Sequence, residues 1–88
     1  MKYIVRYTRN IEKRIQMMPL RERIKMAALI DALRSSGPVQ PSWPNYGKLS
    51  ATKYHCHLSY HWVACWRREQ GSIEIEVYYA GNRENAPY

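Results

Sequence analysis

Hydrophobic and polar positions alternate over residues 2–7, KYIVRY, a run rich in β-forming types. Tyr3, Val5 and Tyr7 share one face, and Lys2, Ile4 and Arg6 the other, which predicts a first strand. Thr8 then suits a helix N-cap. Ile11, Ile15 and Met18 follow at helical spacing, one stripe of a short helix that Pro19 ends. The strongest helical pattern runs over 20–35. Leu20, Ile24 and Ala27 line one stripe, and Met26, Leu29, Ile30 and Leu33 widen it, so that two packing partners are expected, the first helix and a sheet. Arg21, Glu22, Arg23 and Lys25 are expected to face water. Ser35, Ser36, Gly37 and Pro38 supply the stop. Two helices joined across one proline read as a helical hairpin.

Three prolines in PVQPSWPNY (38–46) disfavour regular structure and predict an extended crossover. A strand is expected near 46–49. Residues 53–58, KYHCHL, alternate cleanly, with Lys53, His55 and His57 on one face and Tyr54, Cys56 and Leu58 on the other. Ser59 and Tyr60 form a candidate two-residue turn, although neither favours positive φ and a longer turn fits the pattern as well. HWVACWR (61–67) is the return strand. A turn at 70–72 precedes a last strand in which Ile73, Ile75, Val77 and Tyr79 point inward. The order β-α-α-β-β-β(-β) predicts an α+β fold, a helical hairpin packed on a twisted, mainly antiparallel sheet, with residues 1–88 as a single domain.

Composition narrows the function classes. The hydrophobic share of 45% and charged share of 24% are ordinary globular usage and argue against disorder. No apolar run approaches the ~18 residues of a membrane span. The N-terminus has no apolar signal core, so a cytoplasmic protein is expected. Two cysteines are too few for a disulfide scaffold of this size. Fourteen Lys+Arg against seven Asp+Glu leave a net charge of +7, which points to an anionic partner. Nucleic acid comes first, then an acidic protein or a membrane surface, beside the plain alternative of solvated basic faces. Phe is absent while Tyr numbers 8 and Trp 3, so the aromatic area carries hydrogen-bonding tips.

A two-residue turn at 59–60 would oppose His57 to Trp62, His55 to Ala64 and Lys53 to Trp66, with all six on one face. Two imidazoles, a lysine and two indoles there would suit single-stranded nucleic acid, with bases stacked on Trp and phosphates held by cations. Imidazoles can also serve as base and acid when a ribose 2′-OH attacks its neighbouring phosphate, with an arginine clamping the phosphate oxygens. The alternatives are strand histidines with no chemical role, a metal site built on His55 and His57, and a Cys56 nucleophile. The same register sets His61 and both cysteines on the far face, which weighs against a metal.

KYHCHL (53–58), WVACW (62–66) and IEVYYAGNRENAPY (75–88) resemble the RelE/ParE superfamily of toxin–antitoxin toxins, in particular its RelE-like branch. The element order is similar too. The resemblance implies a ribosome-dependent mRNA endoribonuclease that inhibits translation, cleaving by 2′-OH attack with neither metal nor small-molecule cofactor. It implies a cognate antitoxin, the ribosome and mRNA as partners, and no membrane. His55 and His57 stand where such toxins alternate basic residues. Arg83, after Gly81, matches the arginine that stabilises the transition state, and Tyr88 the aromatic that stacks on the scissile nucleotide. Lys48 and Lys53 would hold the RNA backbone. Trp62 falls where the pattern has another arginine, which removes one phosphate clamp. ParE-like relatives instead poison DNA gyrase, so a non-enzymatic binder of the same fold is the alternative.

Overall fold

The Thr8 hydroxyl accepts from the Ile11 N–H at 3.2 Å and starts helix α1 (Arg9–Gln16), as a threonine with extended backbone should. The structure, a computed structural model, describes residues 2–88. Strand β1 (Ile4–Arg6) precedes α1, and α2 (Leu20–Ser36) follows it. Then come β2 (Gly47–Lys48), β3 (Lys53–His57), β4 (Trp62–Arg67), β5 (Glu74–Asn82) and a 3₁₀ turn at Arg83–Asn85. The five strands form one sheet in the order β1-β5-β4-β3-β2, antiparallel throughout except for β1 on β5. That parallel pair needs a long crossover, and the helical hairpin and meander provide it.

Both helices lie on one face of the sheet. Met26, Leu29 and Leu33 of α2 are fully buried in a cluster with Cys56, Ala64, Trp66, Ile75, Val77 and Ala80, and Ile11 and Met18 close its flank. Both expected partners of α2 are present, the sheet and the first helix, but together they leave one apolar stripe of α2 bare. Leu20 and Ile24 are 63% and 61% exposed, and Met17 in the hairpin turn is 81% exposed. The residues facing the sheet repeat as 22, 26, 29, 30 and 33, and α1 is too short to cover the opposite side. Glu22, expected in water, lies on the covered side.

The crossover finishes α2. The Gln40 side-chain amide donates to the Ala32 and Gly37 carbonyls and to the Ser36 hydroxyl, at 3.1, 2.8 and 2.9 Å, tying the crossover to the last turn of the helix. The Pro38 carbonyl accepts from the indole N–H of fully buried Trp66 at 3.0 Å, which answers the one polar atom of that side chain.

Two details of the sheet differ from the expectation. The Leu58 and Ser59 N–H groups both donate to the Trp62 carbonyl, so the β3–β4 turn holds three residues, 59–61, not two. The pairing therefore slips by one: Lys53 opposes Arg67, His55 opposes Cys65 and His57 opposes Val63. A one-residue slip turns every side chain of one strand over. Trp62 and Trp66 thus join the helix-side face. Trp66 is core, and half-buried Trp62 packs against it. Second, Cys65 pairs with Tyr79 but Trp66 with Val77, which leaves Tyr78 as an extra residue in β5. Val77 and Ala80 both face the helices, so Tyr79 points away from them rather than continuing the inward row.

Candidate functional site

The face without helices carries the candidate chemistry. Strand alternation sets Lys53, His55 and His57 there, beside Arg67, Cys65 and Val63 of β4. The ring centroids of His55 and His57 are 6.3 Å apart. The C-terminal segment folds back over this face. The Asn82 side-chain oxygen accepts from the Glu84 N–H at 2.7 Å and starts the 3₁₀ turn. The Arg83 N–H donates to the His61 carbonyl at 2.7 Å, tying that turn to the β3–β4 tip. From there the chain reaches His55, where the Tyr88 ring stacks at 4.6 Å. His55, His57, Arg83 and Tyr88 are thereby gathered on one side of the molecule.

Their electrostatics follow from that grouping. Burial lowers the His55 pKa below the ordinary histidine value, and the neighbouring His57 lowers it further. His57 is lowered too, first by burial and then by the Arg83 charge. Both imidazoles are therefore mostly neutral at pH 7. An anion seated among them would reverse the like-charge part of the shift and favour protonation. Burial raises the Tyr88 phenol, which keeps it protonated.

Residue types that pattern reading does not flag complete the surroundings. The Asn45 side-chain amide lies 3.1 Å from Nδ1 of His57. The contacting atom is the amide nitrogen, which donates to Nδ1 and leaves the ring proton on Nε2; turning the amide over, so that its oxygen accepts from Nδ1–H, frees the Nε2 lone pair. Asn45 sits at φ 52, a conformation that asparagine tolerates better than most residues. A Cβ on Gly47 would come within 3.3 Å of Nε2 of His55, so the small residue makes room for that ring. Arg67 and Lys53 both approach the Tyr78 ring, at 5.6 Å each, and Arg67 pairs with Glu76 at 2.7 Å. No motif marks Asn45, and only the corrected register puts Arg67 on this face.

Two expected RNA contacts fall elsewhere. The Lys48 ammonium sits 5.5 Å from the ring of Tyr54, a side chain of the helix-side core, and Trp62 packs against that core because of the register slip. Lys53 stays with the histidines. His61 lies in the turn instead of on the far side of a strand, which removes the reason for separating it from the other two imidazoles. Among the described residues, even so, no three His, Cys, Asp or Glu side chains are grouped to hold a metal ion. Burial pushes the thiols of Cys56 and Cys65 up to about 12, so neither is a ready nucleophile. A concavity of about 400 Å³ lies toward β1 and is crossed by the Arg6–Glu74 and Arg67–Glu76 pairs, which spend its charge internally.

No protein-family model matches this sequence, and no curated protein matches it. Solved structures do match in fold. The structure of an archaeal RelE–RelB complex from Pyrococcus horikoshii OT3 superposes with a TM-score of 0.75 at 15% identity, over 98% of this chain and 100% of that one. The E. coli DinJ–YafQ toxin–antitoxin complex gives 0.76 at 12% identity, with 100% of each chain covered. The YoeB–YefM complex from Staphylococcus aureus gives 0.69 at 9% identity, over 92% of this chain and 97% of that one.

Proposed function

We propose that this chain, which has the fold seen in the RelE–RelB, DinJ–YafQ and YoeB–YefM complexes, is a RelE-like toxin that cuts mRNA on the ribosome. The observation that carries the reading is the grouping of two near-neutral imidazoles, an arginine and a terminal tyrosine on one open face. His57, the more open ring with an amide partner at Nδ1, takes the proton from the ribose 2′-OH. The 2′-oxygen forms a bond to the adjacent phosphorus, and the bond from phosphorus to the 5′-oxygen breaks. His55, protonated under the influence of the bound phosphate, supplies the proton to that leaving oxygen. The products are a cyclic phosphate and a 5′-hydroxyl. Arg83 forks onto the non-bridging oxygens as their charge grows. Tyr88 stacks on the scissile base, leaving His55 as it does so, and Lys53 holds a neighbouring phosphate.

The same reading includes an antitoxin as partner. Met17, Leu20 and Ile24 form an exposed apolar row beside Arg21 and Lys25, a suitable receptor for an acidic amphipathic segment. The test is single-turnover cleavage of mRNA on programmed ribosomes. Wild-type protein should cut within the vacant decoding site, and its induced expression should stop protein synthesis. Intact message together with a block of DNA supercoiling would replace this reading with the gyrase-poison alternative.

A further inference from the structure

We propose that Tyr60, at the tip of the β3–β4 turn, is the residue that positions Arg83. The proposal rests on the nuclease reading and adds a residue to it. The guanidinium carbon of Arg83 lies 4.6 Å from the centroid of the Tyr60 ring. The His61 ring meets the same tyrosine edge-on, with centroids 4.7 Å apart and planes at 79°. The backbone of the two segments is joined where these rings meet, by the Arg83 N–H on the His61 carbonyl. Tyr60 is 69% exposed and takes no part in the core, so packing does not account for an aromatic residue at this tip.

The chemistry of the contact suits its place. Arg6, Arg34 and Arg67 are each held by a carboxylate. Among the described residues Arg83 is in no ion pair. A carboxylate would fix it more firmly, but would occupy its N–H groups and cancel its charge. An aromatic ring holds the guanidinium by its flat face and leaves the in-plane fork of donors and the full positive charge available to a phosphate. The effect of that charge on His57 places Arg83 within reach of the site. Tyr60 thus limits the rotamers of a long exposed side chain without neutralising it, and the β3–β4 turn acts as the rest on which the transition-state cation lies.

The experiment compares Tyr60→Phe, Tyr60→Leu, Arg83→Ala and the Tyr60→Leu/Arg83→Ala double variant in single-turnover cleavage on programmed ribosomes. Tyr60→Phe should match wild type, because the ring face is retained. Tyr60→Leu should lose ~5-fold, and that loss should vanish in the Arg83→Ala background. A Tyr60→Leu enzyme as fast as wild type, or an equal loss with and without Arg83, overturns the proposal. Nuclear magnetic resonance of the Arg83 Nε–H decides the contact independently of any cleavage. Its resonance should move when the ring is lost in Tyr60→Leu but stay near the wild-type position in Tyr60→Phe, and an unmoved resonance in Tyr60→Leu also overturns it. Failure of wild-type protein to cut would sink the nuclease reading alone, with the spectrum still deciding whether Tyr60 holds Arg83.

Discussion

The phenol ring of Tyr88 lies over the imidazole of His55, with centroids 4.6 Å apart and planes inclined by 29°. In the free protein the last residue therefore shields one of the two imidazoles. Burial is the main cause of the lowered His55 pKa, so removing the cover should raise it. Tyr88→Ala is expected to shift the His55 titration upward toward ~6.5, while Tyr88→Phe leaves it nearly unchanged. Proton resonance titration of the imidazole reads both outcomes, and an unshifted His55 in Tyr88→Ala would show that the ring is not what dries it.

His57 and Arg83 are expected to matter to chemistry more than to folding. Alanine at either should reduce single-turnover cleavage by ~10²-fold or more. Arg83 is exposed and His57 only half-buried, so unfolding midpoints should change little. A variant that cuts at the wild-type rate removes that residue from the site.

Asn45 combines a backbone role with a side-chain role, and two substitutions separate them. Asn45→Gly keeps the positive φ at low cost and loses only the amide beside His57. Asn45→Ala loses the amide and also strains the backbone, by about 1 kcal/mol. Both should slow cleavage by a similar factor, while only Asn45→Ala lowers stability in urea. Equal activity in all three proteins would exclude Asn45 as the partner that orients His57.

Gly37 closes α2 at φ +92, and a Cβ there would lie 2.8 Å from the ring of Tyr3. Gly37→Ala should destabilise the fold by more than the ~1 kcal/mol of the backbone term alone, since the ring must also move. Adding Tyr3→Leu should recover the steric part and leave the backbone part. Urea denaturation of the three variants measures the split.

The lowered histidine values also predict a pH dependence of stability. A histidine whose folded pKa is depressed binds fewer protons when folded than when unfolded. Its stabilising contribution is complete above the unfolded value of ~6.5 and is lost as the pH falls through the folded value. Stability should therefore drop on acidification below about pH 6.5, and less steeply in a His55→Gln/His57→Gln variant. Identical slopes for the two proteins would contradict the shifts.

The element order and the gathering of His55, His57, Arg83 and Tyr88 are legible in the sequence because they rest on long-lived patterns. These are alternation in KYHCHL, the Thr8 cap, the Gly37 stop and the terminal residues that resemble a known family. What stays hidden depends on single-residue geometry. Nothing local in Ser-Tyr-His distinguishes a two-residue turn from a three-residue one, yet that choice sends Trp62 to the helix side and brings Arg67 beside Lys53. The wide apolar pattern of α2 implies two partners, and both lie within the chain, but periodicity does not show that Leu20 and Ile24 fall beyond their reach. Asn45 enters only through tertiary contact, since its sequence position falls in a proline-rich crossover without periodicity.

Tyr78, the unmatched residue in β5, is absorbed where it stands: Trp66 pairs with Val77 on one side of it and Cys65 with Tyr79 on the other, so alternation resumes in the same sense beyond it. The extra position adds a ring to the histidine face, which Lys53 and Arg67 approach, and leaves unchanged the side from which the C-terminal arm departs. Deleting Tyr78 should accordingly give a regular strand that still delivers Arg83 and Tyr88 to the histidines, so the bulge is a spare berth for one side chain and not a hinge in the path of the arm.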